Sequence, residues 1–230
     1  MTQNPLQLLS SMAAREVLRE LAGLYSKLSG QAVHAAAAGG VDVAKRVAGG
    51  EPVDVVVLSD TAIDKLIAAG QLLPGSRVDI ARSGVAIAVR AGAPVPDVAS
   101  EQAVKQAVLS AKTLSYSTGP SGVYLEKLFE RWGILATIRD RIVVPPPGTP
   151  VATLVADGRA ELGFQQLSEL LNVPAIHVLG ALPDAIQSIT VFSGGIGARC
   201  DRPDDARALL AYMTSPPAEA VKQRYGMDAA

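Results

Sequence analysis

The sequence predicts an α/β protein built on a parallel sheet with crossover helices, and three observations carry that prediction. Strand and helix alternate from the start of the chain, the pattern of βαβ units. Pro52 to Leu58 (PVDVVVL) is a continuous apolar run between turn signals, as a central strand covered on both faces requires. The 230 residues are 49% hydrophobic but only 4% aromatic, so the core is made of small aliphatic side chains.

Composition also excludes. A net charge of −1 with 19% charged residues leaves no basic surface for nucleic acid. No stretch reaches the roughly 18 to 20 consecutive apolar residues of a membrane helix, so the chain is not expected to be embedded in a bilayer. Cys200 is the only cysteine, which rules out an internal disulfide. With two histidines and no H-x-x-H or C-x-x-C spacing, no histidine- or thiolate-bound metal is expected, and no motif implies a cofactor. The opening MTQNPLQLLSSMAARE has no basic region followed by an apolar one. As given, the chain reads as cytoplasmic, or as periplasmic if a leader has been removed.

Leu6 to Leu9 reads as a short buried strand ended by Ser10-Ser11. A long helix follows, with Val17, Leu18, Leu21, Leu24, Tyr25 and Leu28 as its apolar stripe and Ser29-Gly30 as its stop. Ser11 can cap that helix or offer its hydroxyl to a ligand at the helix's positive end. Gln31 to Ala38 is the next strand, and His34 within it reads as a buried, hydrogen-bonded imidazole. Val41 to Ala48 is a short helix behind Ala37-Ala38-Gly39-Gly40, which would leave bare backbone at the strand end. Ser59-Asp60 ends the central strand, and a helix from Thr61 to Ala69 stops at Gly70.

Gly84 to Arg90 is another strand, followed by the linker AGAPVPDV and a helix from Ser100 to Ala111. Leu114 to Trp132 (LSYSTGPSGVYLEKLFERW) then reads as a strand, a turn from Ser117 to Gly122, and a helix. Leu125, Leu128, Phe129 and Trp132 fall at i, i+3, i+4 and i+7 on its apolar face. A turn of hydroxyls and glycine at a helix N-terminus is either an ordinary cap or an anion seat. Ile142 to Val144 is expected to be a strand ended by Pro145, Pro146 and Pro147. Pro150 to Asp157 is a short helix and Glu161 to Phe164 a strand, with Gln165-Gln166-Leu167-Ser168 opening another helix. Ile176 to Leu179 and Ser188 to Phe192 are strands, the latter followed by Ser193-Gly194-Gly195. Two tail helices follow, the first opened by Pro203 with Asp204 and Asp205 in its first turn, the second ending at Tyr225.

The strings LLSSMAAREVLRELAGLYSKLSG, GEPVDVVVLSDTAIDKLIAAGQL and ALLAYMTSPPAEAVKQRYGM together resemble the type II periplasmic solute-binding proteins, and among them the molybdate-binding group. That resemblance implies a two-lobed fold with a ligand cleft between the lobes. Lobe I would be residues 1–82 and 191–230, lobe II residues 83–190, with crossings near Arg82-Ser83-Gly84 and Ile189 to Phe192. Ligands would gather at the carboxyl ends of the parallel strands. The binding residues would then be Ser10, Ser11, Ala38, Gly39, Ser59, Arg82, Ser83, Ser117, Thr118, Ser121, Gly122, Val123, Gln165 and Gln166. Molybdate itself fits poorly. Of the donors that group uses, Ser11 fills the first serine position, but Ala35 to Gly40 carries no hydroxyl and Gln166 stands where the tyrosine is expected. Two missing donors would cost roughly 1 to 3 kcal/mol each.

DKLIAAGQLLPGSRVDIARSGVAIAVRAGAPVPD, SYSTGPSGVYL and LGFQQLSEL are more narrowly similar to the aconitate isomerase branch of this fold, with a departure at Arg82, where a neutral residue is expected. The resemblance implies allylic proton transfer on a small polycarboxylate. Tyr124, Gln166 and Glu169 are the catalytic candidates. Tyr124 is either a dipole-stabilised phenolate or packing, and Glu169 is either a base or a solvated side chain. Gln165 and Gln166 can donate to an enolate oxygen, and Arg82 either grips a carboxylate or makes a structural salt bridge. The same strings also fit a subfamily that only binds ligand. That alternative is a transporter's receptor, with a transporter partner only if the chain is exported, or a cytoplasmic sensor. Either way the partner is a small anionic organic molecule.

Overall fold

In the computed structural model, residues 4–146, 148–171 and 173–230 are described. The chain begins with β1 (Leu6–Ser11), α1 (Arg15–Ser29), β2 (Val33–Ala38), α2 (Gly40–Ala48), β3 (Val55–Ser59), α3 (Asp60–Ala68) and β4 (Val78–Arg90). It continues through α4 (Glu101–Ser110), β5 (Leu114–Tyr116), α5 (Pro120–Arg131), α6 (Leu135–Ile138), α7 (Val151–Ala156), β6 (Leu162–Gln166) and α8 (Leu167–Leu170). Then come β7 (Ile176–Ala181), β8 (Ile189–Ile196), α9 (Pro203–Met213), α10 (Pro216–Arg224) and β9 (Asp228–Ala229). Two units result, Met1–Ser83 with Val191–Ala230, and Gly84–Thr190. The chain passes from one to the other inside β4 and inside β8.

In the first unit the strands run β2-β1-β3-β8. β1 is parallel to both β2 and β3, and β8 is antiparallel to β3. Alternate residues of β1 and β3 enter different cores, as a two-faced central sheet demands. Leu8, Val55 and Val57 pack with Val17, Leu18, Leu21 and Tyr25 of α1 and with Leu209, Leu210 and Met213 of α9. Leu9, Val56 and Leu58 pack with Val43 and Val47 of α2 and Ile63 and Leu66 of α3. The α1 stripe is narrower than its periodicity suggested, because Leu24 and Leu28 are exposed. β2 is the sheet's edge. His34 is consequently exposed rather than buried, with Nδ1 3.2 Å from Gln7 Oε1.

The second unit has the order β5-β6-β4-β7, with β5 parallel to β6 and the other pairs antiparallel. Leu125, Leu128 and Phe129 of α5 pack on Val85 and Ile87 of β4, Leu114 and Tyr116 of β5, and Leu162 and Phe164 of β6. Phe129 anchors this core, its ring centroid 5.9 Å from Tyr116 and 6.2 Å from Phe164. On the other face, Ala86, Ala88 and Ala152 pack with Leu170. The Ser100 cap forms as its sequence requires, its hydroxyl oxygen accepting the Ala103 amide at 3.1 Å.

Among the boundaries that differ from expectation, three lie in or beside the strands that carry the candidate residues. β4 starts at Val78 instead of Gly84, because Asp79, which breaks the apolar pattern, is held by Arg77 (2.9 Å) and by the Ser193 hydroxyl (2.6 Å). Ile142 to Val144 is not a strand. A single bridge joins Leu114 to Ile142, backed by Val143 N–H to the Leu114 carbonyl (2.8 Å) and the Ser115 hydroxyl to the Val143 carbonyl (2.7 Å). Pro145 and Pro146 follow, and Pro147 lies outside the described residues. Finally, β6 runs on through Gln165 and Gln166, both buried, and only Leu167–Leu170 is helical.

Candidate functional site

Parallel strands in register end together, and in each unit this gathers the candidate residues. In the first unit Ser11 lies opposite Ala38, and Ser10 opposite Val57. The carboxyl ends of β1, β2 and β3 therefore bring Ser10, Ser11, Ala38, Gly39 and Ser59 to one edge, ahead of α2 and α3. Ser11 is extended (φ −68°, ψ 156°) and its side chain makes no cap bond. Its Oγ is buried without a hydrogen-bond partner among the described residues. Its Cβ would lie 3.5 Å from a Cβ built on Gly40, which sets the hydroxyl beside the first residue of α2. Capping, one of the two uses left open for Ser11, is not made. An orphaned buried hydroxyl costs roughly 1 to 3 kcal/mol, a cost removed by an anion that accepts its proton.

The neighbouring hydroxyls differ. Ser10 donates to the Ser11 carbonyl (3.2 Å). Ser59 Oγ is 3.4 Å from Thr61 Oγ1, and the Thr61 amide donates to the Asp60 carboxylate at 2.6 Å. The N-terminus of α3 thus carries its own acid.

In the second unit Ser115 lies opposite Gly163 and Tyr116 opposite Phe164. The turn after β5 and the end of β6 are therefore side by side. The helix starts earlier than its apolar stripe suggested: Pro120 is its first residue, and Ser121 and Gly122 sit in its first turn. Ser117 Oγ and Ser121 Oγ are 2.8 Å apart. The Gly122 and Val123 amides turn back to the Gly119 carbonyl (3.0 and 3.1 Å), while the Ser121 amide has no backbone partner among the described residues. Gly122 is obligatory, since a Cβ there would stand 1.6 Å from the Ser117 carbonyl oxygen. A groove of ≈ 590 Å³ is lined by Ser117, Thr118, Gly122 and Val123 together with Tyr116, Glu126, Glu130, Leu135, Arg139, Ile142 and Val144.

The catalytic candidates fall into different surroundings. Tyr124 donates its hydroxyl proton to the Ile186 carbonyl at 2.8 Å, and burial, the largest cause, raises its pKa. The phenolate that a helix dipole would favour is therefore not the form this site favours; the residue packs. Tyr116 is likewise raised, chiefly by burial and then by Glu126, to which its hydroxyl donates at 3.2 Å. Gln166 donates to Thr190 Oγ1 at 2.8 Å. Glu169 is half-buried, not solvated, and accepts the Gln165 amide at 2.8 Å. Arg82 is exposed on β4, opposite Asp228, with no salt bridge to it among the described residues; Ser83 donates to the Gly226 carbonyl at 3.3 Å. Burial pushes the Cys200 thiol up to about 11, so it stays protonated at neutral pH.

Sequence reasoning missed Thr190, 24 residues from the glutamine it holds, and Ser168, whose buried Oγ has no hydrogen-bond partner among the described residues. Ser168 had a signal, since it stands inside LGFQQLSEL; Thr190 had none. Among the described residues no three His, Cys, Asp or Glu side chains gather to hold a metal, and no helix is long and apolar enough to cross a membrane.

Known proteins place this arrangement in a class. The chain belongs to the bacterial extracellular solute-binding protein family, whose model matches residues 6–228. It has the α/β fold of the two-lobed periplasmic binding proteins. The periplasmic molybdate-binding protein of Azotobacter vinelandii superposes with a TM-score of 0.82 at 22% identity, covering 98% of this chain and 99% of that one. The sulfate-binding protein SubI of Mycobacterium tuberculosis H37Rv gives 0.79 at 13% identity, over 99% and 88%. Within the class, the chain is 41% identical over 218 residues to an aconitate isomerase from a Pseudomonas species, covering 91% of this chain and 82% of the relative.

Proposed function

We propose that this protein is an allylic isomerase of a small organic polycarboxylate, interconverting cis- and trans-aconitate or a close analogue. The observation that carries the reading is the 41% identity to an aconitate isomerase over nearly the whole chain. The strand-end chemistry supports it. The buried Ser11 hydroxyl and the Ser121 amide, which lack a hydrogen-bond and a backbone partner respectively among the described residues, and the Ser117–Ser121 hydroxyl pair are donors suited to carboxylates. Arg82, exposed and without a salt bridge among the described residues, is available for a further carboxylate.

In the reaction a base takes a proton from the substrate's methylene carbon. The electron pair spreads over the allylic system and onto a carboxylate oxygen. The proton then returns to the former vinylic carbon, so the double bond moves and no atom is gained or lost. Glu169 is the proposed base, because Tyr124 keeps its own proton and donates it in a hydrogen bond to the Ile186 carbonyl. Gln166, whose amide donates to Thr190, is the proposed group beside the developing enolate oxygen. The test is proton NMR of the protein with cis-aconitate in deuterated buffer. The trans isomer should appear with deuterium at the allylic carbon, and Glu169→Gln should slow it by at least 100-fold.

The family description favours a second reading, a solute receptor for a transporter, with that partner and a periplasmic location only if the chain is exported. Saturable binding of cis-aconitate with no isomer formed would select it. A melting shift with molybdate but not with tricarboxylates would reject both polycarboxylate readings.

A further inference from the structure

Gln165 belonged to the expected ligand donors, but β6 places it differently. In a strand alternate residues face opposite sides. Leu162 and Phe164 lie in the core with α5, so Gln166 shares their face, while Gly163 and Gln165 share the face covered by α7. Gly163 brings α7 down onto the strand: a Cβ there would stand 2.4 Å from Val155 Cγ2 and 3.0 Å from Val151 Cγ1. That close approach puts the Ala152 amide, in the first turn of α7, 3.3 Å from Gln165 Oε1. The other end of the same side chain, Nε2, donates to Glu169 Oε1 at 2.8 Å. Gln165 is 3% exposed. Its carbonyl and its amide thus tie the start of α7 to a carboxylate of α8.

We propose that Gln165 is a positioning residue, not a ligand donor: pinned by the Ala152 amide, it points an N–H at Glu169 and holds that carboxylate ionised and in place. This rests on the proposed role of Glu169 as the base. The direction of the amide is forced, because an N–H can satisfy only the oxygen of Gln165, which turns its NH₂ group outward to the carboxylate. A donor on the ionised form favours that form. β6 and α7 have no titratable side chain, and β7 has only His177, which is exposed.

Two variants separate the possible roles. Gln165→Glu keeps an acceptor for Ala152 and replaces the donor by a like charge; Gln165→Met removes both. In each, the midpoint of Glu169 titration, followed by carboxyl ¹³C NMR and assigned with Glu169→Gln, should move upward by about one pH unit or more. The acid limb of kcat/KM should move with it and kcat at neutral pH should fall about tenfold, while the Kd for tricarballylate, a saturated tricarboxylate, stays within about twofold. An unmoved Glu169 midpoint in Gln165→Glu overturns the proposal, as does a large loss of tricarballylate binding with an unshifted pH profile. Should the wild type turn over neither aconitate isomer, the isomerase reading fails, and the NMR midpoint still decides whether Gln165 governs Glu169.

Discussion

The two hydroxyl-bearing strand ends solve one problem in opposite ways. At the end of β1, the buried Ser11 hydroxyl has no hydrogen-bond partner among the described residues, beside the first residue of α2. At the end of β5, Ser117 and Ser121 bond each other, and the turn is locked by a glycine whose hydrogen faces a carbonyl oxygen with no room for carbon. The first end leaves a hydroxyl unsatisfied among the described residues; at the second the two hydroxyls satisfy each other and the turn is shaped by contact. Removing a group should therefore affect stability little at the first and strongly at the second.

The largest effect is expected at Gly122. Gly122→Ala drives a methyl into the Ser117 carbonyl and should lower stability by about 3 kcal/mol, read by calorimetric or denaturant unfolding. A loss below about 1 kcal/mol would mean the turn relaxes and is not locked. Tyr124→Phe should cost about 1 kcal/mol through the lost bond to Ile186 while keeping kcat within about twofold. A drop of 100-fold would restore the tyrosine as the base. The serines sharpen the contrast further. Ser121→Ala leaves Ser117 without its partner and should cost about 1 kcal/mol, whereas Ser11→Ala should be neutral or stabilising in the ligand-free protein.

A further effect concerns Lys222, buried in the first unit, whose pKa is lowered by burial. Between the folded value and the ordinary lysine value, the unfolded chain binds more protons than the folded one. Stability should therefore rise with pH across that window and be penalised below it. Lys222→Met should raise the neutral-pH Tm by a few degrees and flatten that rise. An unchanged alkaline slope would contradict it.

What the sequence made legible was whatever depends on neighbours along the chain. The α5 stripe, the Ser100 cap, the two-faced run of β3 and the hydroxyl turns all follow from local spacing. What it hid depends on distant contacts. The first half of β4 is polar because Asp79 meets Ser193, 114 residues away. His34 is exposed because β2 ends the sheet, which no local pattern states. Gln165 looked like a ligand donor because its string is distinctive, but its partners, Ala152 and Glu169, come from α7 and α8. Tyr124 kept its place in the first turns of α5, and only the Ile186 carbonyl reveals what its hydroxyl does.

The proposal to be tested is that strand-end hydroxyls and amides, those at the end of β1 and those at the end of β5, each taken by itself, serve as carboxylate ligands. Isothermal titration of cis-aconitate into the wild type, Ser11→Ala and Ser121→Ala tests it most directly. The wild type should bind saturably and the variants about tenfold more weakly, with Ser11→Ala no less stable than the wild type. Undiminished affinity in both variants would contradict it.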